Sequence, residues 1–147
     1  MKIVAFAEHH FAGVDALWRT CFPEDPPRNH ARVAIPAKLA LADDLLLVAE
    51  DADGRVIGTI MAGYDGHRGW LYAVACAPEL RGGGIGSALV EAACVRLAAL
   101  GCQKVNLQVR AGNEGVVEFY RKLGFGTEPR ISMGRDLTLA SVPHRKT

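Results

Sequence analysis

The run Arg81-Gly82-Gly83-Gly84-Ile85-Gly86, set between an apolar segment and a long helical pattern, restricts what this chain can become more than any other feature. Glycines at a strand-to-helix junction let the backbone adopt positive φ and approach a ligand closely, because no Cβ stands in the way. The helix that follows begins with N–H groups that have no intrahelical acceptor, and its dipole favours negative charge at that end. Such a junction is either a site for a phosphorylated ligand or a tight structural turn. A P-loop needs Lys-Ser/Thr after the last glycine, and here only Ser87 follows. A Rossmann turn needs a small residue where Leu89 stands and an acidic residue ending the next strand, and both are missing.

The rest of the chain frames that junction. Met1 to Ala7 reads as a strand, and Val14, Leu17 and Trp18 have helical spacing. Pro23, Pro26 and Pro27 place a loop from Cys21 to Asn29, and Pro36 is expected to open a second helix before Leu39 and Leu41. Leu45 to Glu50 and Arg55 to Tyr64 are strand-like and joined by the hairpin turn Asp51-Ala52-Asp53-Gly54. A second turn, Asp65-Gly66-His67-Arg68-Gly69, leads to a strand from Trp70 to Ala77, which completes an antiparallel meander. After the glycine run, Ile85, Leu89, Ala93, Leu97 and Leu100 share a helix face that Gly101 closes. Lys104 to Arg110 alternates as a strand, and the helix before it makes that strand parallel to Trp70 to Ala77. A short helix from Val116 to Leu123 stops at Gly124, Ile131 to Leu139 supplies one or two closing strands, and Ser141 to Thr147 is expected to fray. Residues 1–147 thus read as a single α+β domain.

Composition excludes several functions. Seventeen basic and sixteen acidic residues, scattered for a net charge of +1, form no stripe that could grip a phosphate backbone, so nucleic acid is not an expected partner. Four cysteines show neither a CxxC pair nor histidines at zinc-finger spacing, so no metal is expected and reduced thiols in a cytoplasmic protein are. Nowhere do eighteen apolar residues run together, and no basic stretch with an apolar segment opens the chain, so a membrane is not expected either.

Arg81-x-x-Gly84-x-Gly86 resembles the Q/R-x-x-G-x-G/A motif of the GNAT superfamily of N-acetyltransferases, with a framework matching from about Leu45 onward. The resemblance implies a mixed, mostly antiparallel sheet of about six or seven strands flanked by about four helices, with a splayed parallel pair at its centre. It implies acetyl-coenzyme A as co-substrate. Arg81, Gly82, Gly83, Gly84, Ile85, Gly86 and Ser87 would then hold the pyrophosphate, while backbone groups of Val74, Ala75 and Cys76 would pair with the pantetheine arm. Asn113, followed seven residues later by Tyr120 and then Gly124-Phe125, is similar to the family segment in which the Asn contacts the cofactor and the Tyr protonates the departing thiolate. Read from the residues alone, Tyr120 is also a core aromatic of an amphipathic helix, and Asn113 a helix N-cap. The segment Ile57 to Trp70 is similar to the YpeA-like subgroup of small bacterial members.

The acceptor is less legible. Many relatives carry a carboxylate on the strand after the glycine-loop helix to deprotonate an amine, and Gln108 stands there instead. Deprotonation then falls to water, or to Glu50 or His67. Trp18, Phe22, Glu24, Asp25, Arg28 and His30 lie in the segment that builds the acceptor site in relatives, and their mixture favours no one amine. The expected activity is acetyl transfer to a primary amine of a small molecule or a protein N-terminus, by a monomer or a homodimer. The rival is a coenzyme A-binding sensor or idle partner subunit, which acetyl transfer to a broad amine panel separates from an enzyme.

Overall fold

A computed structural model describes residues 1–137 and divides them into two compact units, Met1–Val109 and the residues from Arg110 onward. The first unit is built on one sheet in the order β1 (Lys2–Ala5), β2 (Leu46–Glu50), β3 (Val56–Tyr64), β4 (Gly69–Cys76) and β5 (Val105–Asn106). The first four strands pair antiparallel and β5 joins β4 in parallel. Two helices, α1 (Phe11–Cys21) and α2 (Ala31–Leu39), link β1 to β2, and α3 (Ile85–Ala99) makes the crossover from β4 to β5.

Successive strand residues face opposite sides, and β3 shows how both sides are covered. Thr59 meets Trp18 of α1, while a Cβ at the adjacent Gly58 would lie 2.8 Å from Ile85 and 2.9 Å from Leu89 of α3. Val14, Leu17, Trp18, Ile35, Leu46 and Val48 form the core on the α1 side. Ile85, Leu89, Ala93 and Leu97 are buried along α3, as their spacing predicts. Gly101 follows with φ of 93°, and Cys102 N–H returns to the Leu97 carbonyl at 3.1 Å, which ends the helix. Leu100 is 54% exposed, because it occupies the helix C-cap, where the chain already leaves the buried stripe. Gly58→Ala is expected to destabilise the protein by about 1–3 kcal/mol through overpacking between β3 and α3. A fall in the denaturant midpoint with an unchanged slope checks this.

Pro36 lies inside α2 instead of opening it. The helix starts five residues earlier because His30, in extended conformation, offers its carbonyl to both Val33 and Ala34 N–H. Among the described residues the sheet has five strands, fewer than the six or seven expected, and the parallel pair lies at its end and not at its centre. The strand foreseen from Lys104 to Arg110 shrinks to Val105–Asn106, since β4 bulges beyond Trp70 and its backbone leaves the register a longer parallel ladder needs. No strand forms over 131–137, where Gly134 interrupts the apolar run; residues 138–147, which include the rest of that expected strand and the expected frayed end, lie outside the described residues. No helix among the described residues is long and apolar enough to cross a membrane. The second unit contains α4 (Glu114–Lys122), closed by Gly124 at φ of 94°.

Candidate functional site

The glycine run becomes a turn with two left-handed residues, Gly82 at φ of 87° and Gly84 at 89°. Gly84 is the N-cap of α3, and the first intrahelical bond runs from Ala88 N–H to its carbonyl at 3.0 Å. The N–H groups of Ile85, Gly86 and Ser87 therefore have no acceptor inside the helix, and no side chain caps it. No Cβ crowding surrounds Gly82 or Gly84, so an anion can reach these amides. Arg81 is exposed at the mouth of the turn and reaches back to Cys21 Sγ at 3.8 Å.

β4 leads to this turn through the 3-10 turn Pro78–Leu80. Its pairing with β5 consists of Gly69 opposite Val105 and Trp70 opposite Asn106, and from Leu71 on the edge toward β5 makes no ladder among the described residues, as a splayed pair requires. Val74, Ala75 and Cys76 lie on that edge. Opposite β3 the register shifts between Thr59 and Met61, so that Ala73 and Val74 together face Ile60, and Ala73 takes a φ of 50°. Burial pushes the Cys76 thiol upward although Arg81 pulls the other way, which leaves it a neutral thiol.

Asn113 is the N-cap residue of α4, its carbonyl accepting from Val117 N–H at 3.3 Å while its side chain makes no cap bond. Tyr120 is buried, with Phe119 and Phe125 edge-on at centroid distances of 4.9 and 5.5 Å. Burial pushes its hydroxyl up to about 12, so it holds its proton across the neutral range.

Of the two alternative bases, Glu50 is already engaged by neighbours. Glu50, at the end of β2, accepts from His10 Nε2 and lies 3.9 Å from Lys2 Nζ, and the His10 hydrogen bond holds its carboxyl below the usual range. Although His9, His10 and Glu50 bring ligand atoms within 4.8 Å of one another, Ala7 N–H donates to His10 Nδ1. The ring proton is thereby fixed on Nε2, facing Glu50, and a metal at Nε2 would have to drive it to Nδ1 against a donor. The group is a hydrogen-bonded tie between the 3-10 turn Glu8–His10 and β2. Gln108 is exposed beyond β5.

His67 belongs to the β3–β4 turn, where Asp65 Oδ1 accepts from the N–H groups of His67 and Arg68 at 2.8 Å each. These backbone bonds, Arg68 first, hold the Asp65 carboxyl below its ordinary value. A carboxyl so depressed stabilises the fold above its unfolded pKa and loses that contribution as pH falls through the folded one. Amide exchange at His67 and Arg68 should therefore quicken, relative to its intrinsic rate, on acidification below the ordinary carboxylate range. In Asp65→Ala it should be fast at every pH.

Comparisons with known proteins bear on the fold and the family. A sequence profile described as the acetyltransferase (GNAT) family matches residues 11–125. An acetyltransferase of Pectobacterium atrosepticum is 39% identical over 93% of this chain and 96% of its own length, and one of Sodalis glossinidius is 43% identical over 89% and 91%. Among solved structures, AAC(6')-Iy in complex with the bisubstrate analogue CoA-S-monomethyl-acetylneamine superposes with a TM-score of 0.73 at 20% identity, covering 93% of this chain and 98% of that one.

Proposed function

The chain belongs to the GNAT acetyltransferase family and is an acetyl-CoA-dependent N-acetyltransferase, and from that premise we propose that residues 1–147 form one catalytic domain acetylating a primary amine of a small molecule or a protein N-terminus. The observation that carries the reading is the continuity of one surface: the unpaired edge of β4 runs into a turn whose two left-handed glycines leave the first amides of α3 free. Gly82, Gly83, Gly84, Ile85, Gly86 and Ser87 hold the pyrophosphate with Arg81, and Val74, Ala75 and Cys76 align the pantetheine arm, with Asn113 as a further contact.

In this mechanism the amine nitrogen adds to the thioester carbonyl and the carbon–sulfur bond then breaks. Tyr120 donates its proton to the leaving sulfur and recovers one from solvent, and the amine's surplus proton passes to water, since Gln108 cannot accept it and Glu50 is engaged by His10. Much of the rate then comes from orienting an already neutral amine against the thioester. Calorimetry with acetyl-CoA, together with thiol release across a panel of small amines and N-terminal peptides, tests the proposal. Micromolar binding with amine-dependent thiol release is expected. Binding without release for any amine would leave a coenzyme A-binding protein, and absence of binding would overturn the site.

A further inference from the structure

Trp18 and Thr59 are joined to β4 in a way that the mechanism above does not use. The Trp18 indole N–H donates to Thr59 Oγ1 at 2.9 Å, and the Thr59 hydroxyl donates to the Ala73 carbonyl at 2.9 Å. Thr59 is fully buried and Trp18 is 5% exposed. The indole nitrogen can only donate and the hydroxyl has one proton, so the direction of the relay is forced: Trp18 occupies a lone pair of Oγ1 and the hydroxyl proton goes to Ala73. The relay ends on the β4 residue with positive φ, at the point where two residues face Ile60 alone. An alanine held there costs energy that only its surroundings can offset.

The peptide that carries the Ala73 carbonyl also carries the Val74 N–H, and a planar trans peptide points the two in opposite directions. Fixing the carbonyl on Thr59, a β3 residue, turns the Val74 N–H away from β3. The ladder to β5 has already ended at Trp70. A cofactor whose pyrophosphate lies at residues 82–87 and whose arm follows β4 back toward Trp70 has its thioester farthest from the turn, beside this bulge.

We propose that Trp18 and Thr59 are positioning residues for acetyl transfer, holding the peptide that joins Ala73 to Val74 so that the Val74 N–H donates to the thioester carbonyl and to the oxyanion formed as the amine adds. A donor held in place before the reaction needs no reorganisation when the charge develops. The proposal rests on the acetyl-CoA reading of this edge.

Three variants test it. Thr59→Val keeps the branched shape and deletes the relay, Thr59→Ser restores the hydroxyl, and Trp18→Phe removes the indole donor along with part of the ring volume. The readouts are the carbonyl stretch of isotope-labelled acetyl-CoA bound to each protein, the dissociation constant and kcat. In wild type and Thr59→Ser the stretch should move to lower frequency on binding. In Thr59→Val it should return toward that of free cofactor, with kcat lower by about tenfold to a hundredfold and the dissociation constant little changed. If Thr59→Val does not fold, Trp18→Phe is read by the same criteria. A variant lacking the relay but with wild-type stretch and turnover overturns the proposal, and so does a fall in affinity that matches the fall in kcat, which marks a packing role. Wild-type protein that binds acetyl-CoA without shifting its carbonyl overturns this proposal alone. Failure of wild type to bind overturns the acetyl-CoA reading and this proposal with it.

Discussion

Gly84→Asp is expected to abolish acetyl-CoA binding, lowering affinity by about a hundredfold or more, which is about 2.7 kcal/mol. Gly84 is the N-cap of α3 at φ of 89°, where an L-residue costs roughly 1 kcal/mol of backbone strain, a cost the Asp and Asn variants share. The larger effect is charge, because a carboxylate would sit among the amides proposed to receive the pyrophosphate and would take them for itself. No atom lies within 4 Å of a Cβ built there, so a steric clash does not contribute. Gly84→Asn is the control, since it has nearly the same shape, tolerates the left-handed region and carries no charge. Calorimetry should find binding weakened in the Asn variant and absent in the Asp variant, with both proteins melting near wild type. Equal affinity in wild type and Gly84→Asp would remove the turn from the binding site.

Tyr120→Phe is expected to lower kcat by about a hundredfold while leaving acetyl-CoA affinity and the melting temperature nearly unchanged. The ring stays between Phe119 and Phe125, so the packing of α4 survives and only the hydroxyl is lost. With its hydroxyl near 12, Tyr120 carries a proton at every pH at which the thiolate needs one, so the rate should show no loss attributable to Tyr120 ionisation through the mildly alkaline range. The measurement is kcat with any acceptor that supports turnover, beside the dissociation constant and the melting curve. Wild-type turnover in the variant would return Tyr120 to the role of a buried aromatic. Parallel loss of binding and stability would reveal a packing defect instead.

Local chemistry made much of this architecture legible in the sequence. The turn at Gly82 and Gly84, the buried face of α3, the stop at Gly101 and the β2–β3 hairpin each follow from residues within one turn or one helix of one another. Pro36 misled because a proline inside a helix looks the same in sequence as one that begins it, and the carbonyl of His30 decides between them. The length of β5 was illegible for a different reason. Lys104 to Arg110 alternates as a strand should, but its ladder depends on a bulge in β4, and an alanine at positive φ leaves no trace in composition. Trp18 reads as core from its spacing and is core, yet its bond to Thr59, forty-one residues away, belongs to tertiary packing.

A last strand held by only two register pairs leaves the backbone of residues 71–76 without a ladder along one edge until a ligand lies against it. Ligand and fold are then thermodynamically linked, because a co-substrate that binds only the native chain adds about 2.7 kcal/mol to its stability at a hundred times the dissociation constant. Hydrogen exchange should slow at the β4 edge under those conditions while β3, paired on both sides, changes little. Where proteolysis follows the unfolded fraction, the lifetime of this protein in a cell tracks the supply of its own acetyl donor.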